Sequence, residues 1–277
     1  MTGVIDVGGG LRGSYGAGVF DWCMDNDIHF DYCVGVSAGS ANLASYLAGQ
    51  RGRNYIFYTD FNLREESISL QNFAKTRNMV NFEYIYGELS NEGGEYPFDF
   101  DAAVRNPGKF IIVATDALTG RPRYFDKNDM HRNDYGPIKA SSCVPVVNKP
   151  YVIDGVPYYD GGMSDPIPLE KCFKDGCDKV VVVLTRPKAF ERSDNKDELP
   201  AEVLKWIYPE AARALRNRAL RYNTQLWLAK QYEKKGKVLI VAPDEIGSMN
   251  TLTRNKEAID LLYKKGYEDA AAIKAFL

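Results

Sequence analysis

A serine hydroxyl becomes a useful nucleophile when the backbone presents it on a sharp turn, and Gly35-Val36-Ser37-Ala38-Gly39 has the pattern of such a turn. The five residues follow the apolar run Tyr32-Cys33-Val34 and open a helix-like stretch, so Ser37 falls between a strand and a helix. Gly35 and Gly39 suit the place, because the elbow holds its serine in a strained conformation and side chains beside it would clash. The chemistry this offers is attack on a carbonyl carbon, which needs donors for the oxyanion and a base for the hydroxyl. Gly8-Gly9-Gly10-Leu11-Arg12-Gly13 offers the donors. Consecutive glycines let backbone N–H groups and a following helix N-terminus converge on one anionic oxygen, with Arg12 adding positive charge.

The same spacing of Gly8, Gly10 and Gly13 also satisfies a dinucleotide fingerprint, which needs an acidic residue at the end of the next strand to hold a ribose. That strand ends in Val36-Ser37, and Asp25, Asp27 and Asp31 all precede it, which argues against a nucleotide site. For the base, histidine is the usual choice, yet the chain has only His29 and His131. His29 lies at the wrong end of the elbow strand and His131 in the polar loop 127–134, so both read as surface residues. A further candidate stands at Tyr158-Tyr159-Asp160-Gly161-Gly162. Tyr151-Val152-Ile153, an Asp154-Gly155 turn and Val156-Pro157-Tyr158-Tyr159 have the pattern of a hairpin whose return arm brings Asp160 to a loop mouth. Standing alone, Asp160-Gly161-Gly162 reads as a structural turn. Of the neighbouring carboxylates, Asp154 belongs to the hairpin turn, and Asp165 before Pro166 is expected to cap a helix.

The elements that must position these residues alternate. Val4–Val7, Tyr32–Val36, Phe110–Ala114, Val180–Thr185 and Val238–Ala242 are short, apolar and rich in β-branched residues, with helical stretches between most of them. Apolar strands of this kind predict a three-layer α/β/α sandwich with a mostly parallel sheet, and chemistry at the strand C-termini. Residues 189–200, with the all-polar run 191–198, read as a linker or a loop near the site. Beyond it, 201–235 reads as one or two helices interrupted near Pro209, with Leu204, Tyr208, Ala211, Leu215, Ala219, Tyr222 and Leu226 on one face. Residues 202–237 hold nine Lys or Arg against three Glu, plus Trp206 and Trp227. Such a stretch reads first as a stripe packed on the sheet with its cations in water, with docking on an anionic lipid surface as the alternative. The clusters Tyr55–Tyr58 and Phe82–Tyr86 fit an acyl pocket or plain core.

G-G-G-L-R-G, G-V-S-A-G and D-G-G in this order, with Ala140-Ser141-Ser142-Cys143-Val144-Pro145 ahead of the last, resemble the patatin-like phospholipases over residues 1 to about 190. The closing segment Leu261–Ala270 is similar to bacterial members with a helical C-terminal extension. The resemblance implies a catalytic core over 1–190 and an extension over 191–277 packed on it. It also implies a dyad without histidine: Ser37 as nucleophile and Asp160 as base. The amides of Gly8, Gly9 and Gly10 would form the oxyanion hole beside Arg12, supported by Gly13, Gly35, Gly39, Gly161 and Gly162. The expected substrate is a lipid or other acyl ester, cleaved through an acyl-enzyme with no metal or cofactor. A non-catalytic patatin-like protein that binds a lipid or a partner is the alternative.

Composition fits that reading. The 277 residues, 45% hydrophobic, suffice for one large core. Thirty-five Lys plus Arg against 37 Asp plus Glu leave no global basic field for nucleic acid. No basic segment precedes an apolar one at the N-terminus and no apolar run approaches membrane-spanning length, which predicts a cytoplasmic protein. Cys23, Cys33, Cys143, Cys172 and Cys177 form no C-x-x-C pair, which argues against a disulfide framework or structural zinc and predicts free thiols.

Overall fold

The computed structural model describes all 277 residues. Eight strands form one sheet: β1 (Thr2–Asp6), β2 (Tyr32–Val36), β3 (Lys109–Asp116), β4 (Pro122–Phe125), β5 (Tyr151–Ile153), β6 (Val156–Asp160), β7 (Lys179–Val183) and β8 (Val238–Val241). The order is β5-β6-β3-β2-β1-β7-β8, with β4 paired to β3. The ladders joining β8, β7, β1, β2 and β3 are parallel, while β4, β5 and β6 run antiparallel to their neighbours.

Alternate residues of the central strands feed two cores. Val4, Cys33, Phe110, Ile112, Val181 and Val183 face helices α1 (Ser14–Asp25), α2 (Ala38–Leu47) and Lys256–Asp269, through residues such as Phe20, Leu43 and Ile259. Ile5, Val34, Val113, Val180, Val182 and Ile240 face the opposite layer, including Leu226 and Ala229 of the helix Arg218–Lys234. Burial on both faces is why these strands read as unbroken apolar runs, and it makes the expected α/β/α sandwich. The helix Lys256–Asp269 lies close on α1: a Cβ on Gly18 would stand 2.0 Å from the Tyr263 carbonyl oxygen, and one on Gly266 2.0 Å from that of Tyr15.

Three local expectations change. The strand β4 was not expected, because four residues opening on a proline carry little pattern of their own. Its pairing with Ile112–Thr115 makes it a strand. The stretch 201–235 belongs to three helices, Glu198–Leu204, Pro209–Arg216 and Arg218–Lys234, with Pro209 in a first turn where its missing N–H costs nothing. Asp165 does not cap a helix; the next one starts at Leu169, and Asp165 accepts bonds from the Tyr124 hydroxyl and Gln225 Nε2, both at 2.6 Å. All five cysteines are buried free thiols. No helix is long and apolar enough to cross a membrane.

Candidate active site

The parallel strands end at one edge of the sheet, and their loops build the site. Ser37 sits between β2 and α2 at φ 56°, ψ −133°, a conformation costing a non-glycine residue about 1–3 kcal/mol. The surroundings hold it there. Its N–H donates to Ser141 Oγ at 2.8 Å, and that hydroxyl donates onward to the Val113 carbonyl at 2.6 Å. Its carbonyl accepts from the N–H and hydroxyl of Ser40 at 2.9 and 2.6 Å. Gly35 and Gly39 have no room for a side chain: a Cβ would lie 2.4 Å from Ser40 Cα and 2.2 Å from the Asp6 carbonyl oxygen, respectively.

Asp160 reaches the same place by strand register. β2 leaves β3 at the rung Val36↔Val113, and β6 begins on β3 at Ala114↔Asp160. The strand β4 pairs with Ile112 to Thr115, so it occupies the opposite side of β3 from both. β6 therefore takes over the side that β2 vacates, and Asp160 arrives one rung beyond Val36. The hairpin turn before it has positive φ at Asp154 (49°) and Gly155 (78°), as its sequence predicts. Asp160 Oδ1 accepts from Gly162 N–H at 2.7 Å, and its own N–H donates to the Cys143 carbonyl at 2.7 Å. Ser37 and Asp160 line one cavity, and no hydrogen bond joins their side chains. Such bonds commonly tighten only around substrate.

The glycine loop lies against the elbow. Gly8, Gly9 and Gly10 take φ values of 63°, 130° and 59°, and a Cβ on Gly8 would stand 2.8 Å from the Ala38 amide nitrogen. The Gly8 N–H is committed, donating to Asp6 Oδ1 at 2.9 Å, while Asn42 Nδ2 donates to Asp6 Oδ2 at 2.8 Å. Burial pushes the Asp6 carboxyl up to about 6, against the opposing bonds from Asn42 and Gly8. Gly9 and Gly10 donate to no protein acceptor, and Ala38 opens α2, where helical amides lack partners. These are the donors open to an oxyanion. Leu11 N–H bonds the Thr251 carbonyl at 2.9 Å and Arg12 Nη1 bonds Thr251 Oγ1 at 3.1 Å, tying the loop to the C-terminal segment. Burial, helped by Arg186, Arg192 and Arg218 and opposed by Tyr222, pulls the Arg12 guanidinium down to about 9.

The cavity over these groups measures about 420 Å³. Phe57, Tyr58, Phe82, Ile85 and Tyr86 from the two aromatic clusters line it, while Tyr55 points elsewhere and bonds Asp260. The inward stripe Leu204, Ala211, Leu215, Ala219 and Leu226 is buried as core, with Tyr222 on the cavity wall. Both histidines are at the surface, His29 paired with Asp27. The sequence reading marks the run 140–145 that holds Ser141 but not what Ser141 does, and it misses Asp6 and Thr251. Nothing local marks a strand-end aspartate, a serine a hundred residues away, or a threonine near the chain end as parts of one site.

Residues 7–173 match the family model described as patatin-like phospholipase. The chain belongs to that family. Residues 208–275 match a second model, a domain of unknown function (DUF6363). Among curated proteins, the patatin-like chain is 30% identical over 185 residues to "Uncharacterized protein YjjU" of Escherichia coli K12, covering 65% of this chain and 50% of that one. It is 28% identical over 101 residues to "Uncharacterized NTE family protein Rv1063c" of Mycobacterium tuberculosis H37Rv, covering 36% and 26% respectively. It thus spans half the length of the first and about a quarter of the second. Among solved structures, VipD from Legionella pneumophila aligns at 14% identity over 98% of this chain and 66% of its own, with a TM-score of 0.48.

Proposed function

We propose that this patatin-like chain is a serine acyl hydrolase that cleaves carboxylic esters of lipids, with Ser37 as nucleophile and Asp160 as base. The observation that carries this reading is the rung sequence on β3, which brings an aspartate next to a strained serine with unpaired amides beside it. Asp160 takes the Ser37 proton, and the alkoxide attacks the ester carbonyl carbon. The resulting oxyanion is held by the amides of Gly9 and Gly10, with Ala38 as a third donor. Collapse breaks the C–O bond, the departing alcohol takes the proton from Asp160, and the acyl group stays on Ser37. Water, deprotonated by Asp160, attacks the acyl carbon, the C–O bond to Ser37 breaks, Asp160 returns the proton to Ser37 Oγ, and the acid leaves. The apolar cavity residues accommodate the acyl chain. Gly8, which resemblance places in the oxyanion hole, serves instead as the anchor of the loop through Asp6.

Residues 191–277 act in this reading as a wall of the same site rather than as a separate unit, because Thr251 and Tyr222 line the cavity. Trp206, exposed to 83%, with exposed Leu199, Val203 and Ile207, supports peripheral contact with a lipid surface. Fluorophosphonate labelling followed by peptide mapping tests the catalytic assignment, since such probes require an activated serine and a working oxyanion hole. The expected result is stoichiometric labelling of Ser37, slowed by about a hundredfold or more in Asp160→Asn. A folded protein that stays unlabelled, with and without lipid vesicles, would favour a non-catalytic binding role.

A further inference from the structure

Five aspartates are buried, and the mechanism above uses one of them, Asp160. Asp197 is paired with Arg192, and Asp21 and Asp165 each accept from a tyrosine hydroxyl. Asp6 has neither a cation nor a hydroxyl. Its two oxygens accept from N–H groups alone, Gly8 N–H at 2.9 Å on Oδ1 and Asn42 Nδ2 at 2.8 Å on Oδ2. The carboxylate is wedged at the end of β1 between α1 and α2: a Cβ on Gly16 would stand 2.4 Å from Oδ2, and one on Gly39 2.8 Å from Cγ. The strands and helices around it bring no charged side chain to bear on it. Tyr58, on the helix Arg53–Thr59, is the titratable group beside it; its hydroxyl donates to Asn42 Oδ1 at 3.2 Å, and burial, with the charge of Asp6 adding, holds it neutral.

This one group joins the two halves of the oxyanion hole. Oδ1 holds the N–H of Gly8, whose carbonyl is held from the other side by the Thr185 hydroxyl. Oδ2 holds Asn42, one turn along α2 from Ala38, and Asn42 Nδ2 also donates to the Gly13 carbonyl at 2.9 Å. Gly9 and Gly10 hang between the Gly8 anchor and the bond from Leu11 N–H to Thr251, so any shift of Gly8 moves their amides relative to that of Ala38. We propose that Asp6 is a positioning residue whose ionised carboxylate locks the glycine loop onto the helix that follows Ser37, so that protonation of this group switches hydrolysis off. The inference rests on the hydrolase reading above and adds its regulation. Only the ionised form offers two full acceptors; a proton turns one oxygen into a donor among donors, and one of the two N–H bonds is given up. Burial favours the neutral form over the bonds from Asn42 and Gly8 and sets the carboxyl at about 6, so the group changes state just below neutral pH. The form that positions the loop is therefore the one the fold favours less, and with rising pH hydrolysis gains while stability falls.

The test measures kcat and KM for p-nitrophenyl butyrate, a soluble ester, in the wild type and in Asp6→Asn from about pH 5 to about pH 8. Asparagine fixes the group in a neutral form of nearly the same shape. Asp160 must also be ionised to act as base, and the ratio of wild-type to variant kcat cancels that requirement because both proteins share it. The ratio is expected to be about tenfold to a hundredfold at the alkaline end, with KM little changed, and to fall toward one at the acid end. The variant should at the same time be no less stable than the wild type at the alkaline end, which a merely structural role for Asp6 would not give. A ratio near one throughout, or a ratio that does not vary with pH, overturns the proposal. A measurement on the wild type alone guards against a variant that fails to fold: the amide NMR resonances of Gly8, Gly9 and Gly10 are expected to titrate together with a midpoint of about 6. Resonances of Gly9 and Gly10 that stay still while Gly8 moves overturn it as well. If the wild type neither cleaves the ester nor reacts with a fluorophosphonate, the hydrolase reading fails by itself, and the amide titration still decides whether Asp6 gates the loop.

Discussion

The glycine loop and the elbow act through the backbone, whereas the wall built from residues beyond 184 acts through side chains. In the first region, Gly8, Gly10, Gly35 and Gly39 each sit where a Cβ would come within 2.4 Å of a neighbouring heavy atom. Its working groups are N–H donors and one strained serine. In the second, Arg186, Arg218, Tyr222 and Thr251 project onto the same cavity from a loop, a helix and a turn. In the proposed hydrolase this difference divides two tasks. Oxyanion stabilisation needs donors placed to within fractions of an ångström, which close-packed backbone supplies. Selection among substrates needs charge and shape, which side chains can vary without disturbing the elbow.

Substitutions that break the first region should have the largest effects. Ser37→Ala removes the proposed nucleophile and is expected to lower ester turnover by about ten-thousandfold or more, with little change in unfolding temperature. Retention of turnover in that variant would remove the elbow from the chemistry. Gly35→Ala forces a methyl group to 2.4 Å from Ser40 Cα, and a stability loss of about 3 kcal/mol is expected on denaturant unfolding. A wild-type midpoint for this variant would mean the elbow is more yielding than its packing implies.

Asp6 sharpens the comparison because it links the loop to the core by a titratable group. Its carboxyl is raised to about 6 in the folded chain, so its contribution favours folding below the ordinary carboxylate range and is lost as pH rises through about 6. Between roughly pH 4 and 6.5 the wild type should lose about 2–3 kcal/mol that Asp6→Asn does not lose, read as the difference between their unfolding curves. Asp21 and Asp165, also raised mainly by burial, contribute in the same direction to both proteins and cancel.

The second region should respond more mildly. Thr251→Ala deletes the hydroxyl bonded to Arg12 but leaves the carbonyl that holds Leu11 N–H, so a cost of about 1 kcal/mol and a small change in kcat are expected. Smallest of all, Trp206→Ala should change unfolding free energy by less than about 0.5 kcal/mol, since its side chain meets mainly solvent. The same variant would lower association with lipid vesicles in a flotation assay, and equal flotation would count against lipid contact at that place.

What could be read before folding was local in origin. The elbow, the glycine loop and the Asp154-Gly155 hairpin announce themselves because positive φ and close approach restrict which residues can stand there. The central strands were legible because burial on both faces demands apolar runs, and the stripe from Leu204 to Leu226 because a helix buries one side. The strand β4 escaped, its pattern being set by the partner it joins. So did the roles of Asp6 and of Ser141, which act on residues that fold to them from elsewhere in the chain.

The sequence by itself determined the three turn motifs, the family and the layered α/β/α class, since each follows from short-range sterics or from the period of apolar residues. Only the tertiary structure decided that Asp160 follows Val36 on the edge of β3, that the Gly8 amide belongs to Asp6, and that arginines from positions 12, 186 and 218 share one cavity. Strand register and the meeting of distant loops depend on how the whole core packs, and no local pattern of residues encodes that.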